Sequence, residues 1–234
     1  GVEEPLVHNR GGAFAPLGID EAQLGKNGTP SYLAGRMSQV VQAAPDAIKV
    51  FTGPPAQSYR LAPETTLAVL SDSRDETGRR FIKLQQQHSG LTVVGREVVV
   101  QVGRDGNVEA IIGSLYPELK LAATSPLAGD AALGTALTAL GASETQVRKA
   151  PVLAVYIDAT EQPVLVYRAT VDYYASSGRN LDELFVNAKS GALVARHPQI
   201  FTTLSRDVYD LKKACVKTGM ELPGTLLAHE GGTI

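Results

Sequence analysis

The sequence predicts an α+β protein. It reads as two helix-plus-antiparallel-sheet units in tandem, followed by an extended C-terminal linker. Three observations predict this. Runs rich in Val, Ile and Thr recur at strand length through residues 65–115 and again through 153–195. Each series is preceded by a stretch with apolar residues at helical spacing. From about Phe201 the chain turns to polar punctuation and Gly- and Pro-broken segments that fit no long element.

The elements follow in order. Residues 1–30 are rich in Gly, Pro and Asn without a period and read as an N-terminal arm. Thr29 as N-cap and Pro30 at the first helical position predict a helix start, with Leu33, Met37, Val40, Val41 and Ala44 as its stripe and Pro45 limiting it. Residues 52–57, with Gly53, Pro54 and Pro55, read as a loop. Strands are expected at 66–70, 80–87, 91–102 and 108–115, broken by Ser89-Gly90 and by the turn signal Arg104-Asp105-Gly106-Asn107. Ser125-Pro126 offers a second helix start, Leu133, Leu137 and Leu140 form its stripe, and Gly141 suits its C-terminal cap. Strands are then expected at 153–157 and 162–173, and a hairpin at 184–187 and 192–195 around Lys189-Ser190-Gly191.

The bulk composition narrows the function classes. The chain has 234 residues, 44% of them hydrophobic, enough for one large core or two small ones. A net charge of -2 with both signs mixed gives no reason to expect nucleic acid or a membrane surface as partner. No apolar run approaches the roughly 20 residues of a membrane span. Gly1 opens no basic-then-apolar leader, which leaves an intracellular chain or one whose signal peptide has been removed. Cys215 stands alone, so no internal disulfide framework exists. It reads either as a small buried side chain or as the partner of a cysteine outside this chain.

The stretch 80–115 runs RFIKLQQQHSGLTVVGREVVVQVGRDGNVEAIIGSL. It resembles the fungalysin/thermolysin propeptide domain. The positions that carry the resemblance are Leu84, Gln85, Gln86, Gly90, Leu91, Val93 and Gly95, then the Val-rich strand 98–102 and Asp105-Gly106. Thr92 stands where the family usually has Pro, and Leu84 and Val94 where it often has Phe. The second unit is similar to a PepSY domain through PVLVYRATVDYY and LFVNAKSGALVARH, with Asn187 where Asp is common. LSRDVYDL and LPGTLLAHEGG resemble the opening of a protease region. The resemblance implies an N-terminal arm at 1–30, a propeptide domain at 31–118, a PepSY-like domain at 119–200, and a linker with the start of the protease region at 201–234. It implies a cystatin-like arrangement in each unit. It also implies the function, that of the propeptide of a secreted or periplasmic thermolysin-like zinc metalloendopeptidase. Such a propeptide chaperones and inhibits its catalytic domain until autoproteolysis. The catalytic domain is then the partner, and zinc and calcium belong to it.

Chemistry in the chain itself is sparse. The zinc motif of such enzymes is His-Glu-x-x-His on a helix, two imidazoles on one face with the Glu as base. His229-Glu230 is the one His-Glu pair, and Thr233 stands four residues on, where the second His is needed. His8, His88, His197 and His229 follow no ligand spacing; His88 reads as a surface residue at a strand end. Asp75-Glu76 and Asp182-Glu183 read as solvated turn residues, and no Gly-x-Ser-x-Gly elbow or phosphate loop occurs. The chain is therefore expected to be no enzyme and to hold no cofactor. Gln85 and Gln86 read as partners in cross-strand hydrogen bonding or, alternatively, as contacts to a catalytic domain. Processing is expected between Arg196 and Leu226, with His197 near it and Ile200, Phe201, Leu204 and Leu226 eligible just after the cut. A stand-alone secreted binding or inhibitor module with no downstream enzyme is the other reading.

Overall fold

The computed structural model describes residues 17–52, 54–121 and 127–199, together with the backbone of two strands, Arg206–Asp210 and Thr225–Glu230. Strand far outweighs helix. Ten strands form one open, mixed sheet, and the last two form a separate antiparallel pair.

The first strands depart from the sequence reading. β1 (Ile19–Leu24) and β2 (Pro30–Gly35) form an antiparallel hairpin where an arm and a helix start were expected. The cause lies in the turn. Gly28 takes φ +72°, and the Asn27 side-chain oxygen accepts from both the Thr29 N–H (3.1 Å) and the Thr29 hydroxyl (2.6 Å). The hydroxyl expected to cap a helix is thus spent inside the turn. Leu33, Met37 and Val41 are buried, but Val40 is 54% exposed and bridges to Asn107, so the helical stripe is no stripe. Pro45 begins a helix instead of ending one. It is the N-cap of the short α1 (Asp46–Lys49), which runs through a 3-10 turn at Val50–Thr52 toward α2 (Pro54–Tyr59). The expected loop at 52–57 is therefore largely helical, and prolines at a helix start fit because the first turn needs no N–H donors.

The next four strands agree closely with expectation. β3 (Thr65–Arg74), β4 (Arg80–His88), β5 (Leu91–Val102) and β6 (Val108–Gly113) make an antiparallel meander. Ser89 and Gly90 both take positive φ, 49° and 79°, as a two-residue hairpin turn requires. Gly103 donates to Asn107 (2.9 Å) and Gly106 to Gly103 (3.0 Å) to close the β5–β6 turn. β2 joins this sheet beside β6. Its covered face carries the largest core, with Leu33, Met37, Ile82, Leu84, Val98, Val100 and Ile111 under the short helices.

The second unit has one helix, α3 (Gly129–Ala139), and four strands: β7 (Ser143–Ile157), β8 (Pro163–Ala175), β9 (Gly178–Asn187) and β10 (Leu193–Pro198). The helix starts at Gly129, so Ser125-Pro126 is not its first turn; those two residues lie outside the described ones. Its end is as predicted. Gly141 takes φ +62°, Ala142 donates to Leu137 (3.0 Å) and Gly141 to Thr138 (3.0 Å), which satisfies the last carbonyls. β7 begins at Ser143 and not at Leu153, because its first half is exposed and shows no hydrophobic alternation to read. α3 lays Ala132, Leu133 and Ala136 on Ala169, Val171, Tyr173, Leu184 and Val186.

β11 (Arg206–Asp210) and β12 (Thr225–Glu230) pair with each other, so the stretch expected as an extended linker contains a paired element. His229 lies in β12, a strand and not a helix. His8, Ile200, Phe201, Leu204 and Cys215 lie outside the described residues, and Leu226 is placed at the backbone only, in β12.

Candidate functional site

The residues of the motif converge on a bend in β5. Gln85 pairs with Glu97 and Gln87 with Thr92, so residues 93–96 stand against Gln86 alone. Gly95, at φ +69°, turns the strand there. A bulge of this size leaves carbonyls inside the sheet without ladder partners, and each must find a donor. Gln85 supplies it. Its amide nitrogen reaches the carbonyls of Val93 (2.8 Å), Arg96 (2.9 Å) and Gln86 (3.1 Å).

Gln86, fully buried, does a second job. Its amide nitrogen donates to the Tyr116 carbonyl (2.8 Å), and its side-chain oxygen accepts from the Tyr116 N–H (2.7 Å). The side chain thereby copies one rung of a β-ladder. Only an amide of this length offers donor and acceptor together.

Tyr116 belongs to the segment that leaves β6 for the second unit, and the whole segment is strapped down. The Leu115 carbonyl accepts from Asn27 Nδ2 (3.3 Å), and the Thr29 hydroxyl lies at the same distance from it. The Glu118 N–H donates to the Arg60 carbonyl (2.7 Å). His88 Nε2 lies 3.2 Å from the Leu121 carbonyl; since that oxygen only accepts, Nε2 carries the hydrogen. Leu115 and Leu119 are fully buried. The expected division of the chain near Pro117 is therefore a tightly held joint. His88 is 3% exposed, which corrects its reading as a surface residue: its ring faces the strap and not the solvent.

The joint then reaches across. Val93 on β5 pairs with Val155 on β7, the one parallel contact between named strands. Val93, Val155 and Leu119 form a fully buried apolar cluster, with Leu91, Tyr116, Leu121 and Ile157 around it. Val94 packs on Ala154, Val166 and Phe185. The Tyr116 hydroxyl donates to the Glu161 carbonyl (2.9 Å). The Arg96 guanidinium sits 5.8 Å from the Tyr116 ring centre and 3.5 Å from the Glu161 carboxylate.

Leu84, Gln85, Gln86, Val93 and Gly95 thus meet at one place, Gly90 turns the hairpin beside it, and Asp105-Gly106 lies at the opposite end of β5. There Asp105 accepts from Asn107 and pairs with Arg36 (2.7 Å), and the Asn107 bond, more than the arginine, holds its carboxyl below the usual range. His197 is set into β10, its ring 4.9 Å from that of Phe185 and its Nε2 3.4 Å from the Tyr156 hydroxyl.

Sequence reasoning passed over two clusters in the second unit. Asp172 on β8 is gripped by Arg179 (2.8 Å) and Arg148 (2.7 Å), which hold its carboxyl well below the carboxylate range. Tyr173 donates to the buried Asp182 (2.7 Å), and Arg196 reaches the same tyrosine (3.3 Å). Asp182 is therefore no solvated turn residue. A signal for the first existed, since Asp172 is the lone carboxylate in the largely apolar run VLVYRATVDYY. Among the described residues, no group of three His, Cys, Asp or Glu side chains could hold a metal ion.

No curated protein matches the chain. Among solved structures, the Bacillus megaterium YpeB C-terminal domain is similar at a TM-score of 0.37 and 14% identity, over 72% of this chain and 71% of that one. The meander whose bend holds Gln85 and Gln86 falls within residues 65–115, and it is these residues that match the family model of the Fungalysin/Thermolysin Propeptide Motif.

Proposed function

We propose that the chain is the propeptide of a secreted thermolysin-like zinc metalloendopeptidase, serving its catalytic domain as intramolecular chaperone and inhibitor until autoproteolytic removal. The observation that carries this reading is the family match over residues 65–115, with the motif glutamines gathered at the β5 bend. In this reading residues 31–118 are the propeptide domain and 119–200 a PepSY-like domain. Zinc and calcium belong to the catalytic domain. A propeptide acts by shape and needs no chemistry of its own, and a sheet with open edges suits that task.

The test is direct. Mixed with the mature cognate protease, the purified chain should inhibit at micromolar concentration and raise the yield of refolded enzyme. Absence of both effects would overturn the reading. Processing should fall between Arg196 and Leu226, with Ile200, Phe201, Leu204 or Leu226 as the new N-terminal residue. Mass spectrometry of the matured precursor identifies it.

A further inference from the structure

A cleft of about 220 Å³ opens on the second unit, beside Thr92 of the first. Thr92 of β5 closes one side, and the rest is lined from the second unit, by Lys149, Val152 and Leu153 of β7, Arg168 and Thr170 of β8 and Glu183 of β9 among others. Thr92 is thus the one lining residue that the first unit contributes. Val152, 64% exposed, stands at its mouth.

The charge around it leaves one cation unpaired. Asp172 is matched by Arg148 and Arg179, and Glu183 by Arg168 at 2.7 Å. Of the charged side chains that line the cleft, Arg168 and Glu183 thus neutralise each other, and Lys149 makes no ion pair with any described residue. Annexing a strand is the wrong use for this edge. β7 carries register shifts on both sides of Lys149, and Pro151 has no N–H to give. Recognition here goes through side chains.

We propose that this cleft receives a large apolar side chain of the protease's catalytic domain, carried on a segment with a carboxylate beside it that meets Lys149. The choice of the protease as occupant rests on the propeptide reading; the choice of chemistry rests on the apolar walls and the unmatched positive charge.

The full chain, isotope-labelled, is titrated with the peptides acetyl-Asp-Leu-Leu-Asp-amide and acetyl-Lys-Leu-Leu-Lys-amide. The acidic peptide should shift the amide resonances of Thr92, Val152 and Thr170, and bind about tenfold more tightly than the basic one. Lys149→Glu should remove that preference, and Lys26→Glu, a matched change on the exposed β1–β2 turn, should keep it. Equal response to the two peptides, or none at the cleft, overturns the proposal. In the protease assay, Lys149→Glu with Val152→Asp should weaken inhibition about tenfold. Unchanged inhibition by that variant, where the wild-type chain inhibits, overturns the protease as occupant. If the wild-type chain itself neither inhibits nor assists refolding, the propeptide reading and the protease as occupant fall together, and the peptide titration alone decides the chemistry of the cleft.

Discussion

Gln86 shows how much one side chain can carry. Replacing it with Leu leaves the Tyr116 N–H and C=O without partners in a buried site, and this should cost about 3 kcal/mol, read from urea denaturation. Gln86→Glu should cost no less, because the Tyr116 carbonyl would then face a carboxylate oxygen. Asp172 makes a pH prediction. Its carboxyl is held below its ordinary value of 3.8, first by Arg179 and then by Arg148. A depressed folded-state value gives stability that is fully present above the ordinary value and is lost as the pH falls below it. Arg179→Ala should therefore lower stability more at pH 7 than at strongly acid pH, where the carboxyl is protonated with or without the arginine; urea denaturation at the two pH values, followed by circular dichroism, checks it. The glutamine pair was visible in the sequence as a motif, but its partners were not. A side chain bonding to backbone 30 residues away leaves no pattern in residue type at the receiving end.

At the level of elements, glycines separate the bend from the sheet around it. Gly95 and Gly113 both take positive φ, 69° and 119°. A Cβ on Gly95 would meet nothing within 4 Å, whereas one on Gly113 would lie 2.3 Å from the Glu97 carbonyl oxygen. Gly95→Ala should cost about 1–2 kcal/mol, the backbone penalty alone. Gly113→Ala should cost more, since β6 must move away from β5; thermal melts of the two variants side by side measure the difference. The elements also show what a single sequence reveals. β4 and β5 were legible because β-branched runs are set off by Ser89-Gly90 and by Arg104 to Asn107, whose turn chemistry is local. The stripe at Leu33, Met37 and Val41 misled because burial at those positions comes from a strand and the coil after it. Thr29-Pro30 imitates a helix start only until Asn27 claims the hydroxyl. The first half of β7 stayed hidden for the opposite reason, as pairing with β8 holds it without any buried side chain.

For the whole molecule, the joint decides whether there are two bodies or one. The shared cluster of Val93, Leu119 and Val155, the strap at 115–121 and the Tyr116–Glu161 bond make it one. Urea unfolding of the full chain should be a single transition, with sheet and tyrosine signals coincident. Leu119→Ala should cost about 3 kcal/mol and separate the signals, because it opens a cavity in the joint and not within either sheet. The Val93–Val155 contact has a further meaning, for the order of events during folding. Most other pairs in this sheet join neighbours in the chain through short turns, so each meander can zip up quickly by itself. The parallel contact must close a loop that spans most of β5, β6, α3 and most of β7, and such closures come late. The surface that the two units build together, around Val93, Leu119 and Val155, therefore appears only in the last step of folding, after each meander has formed.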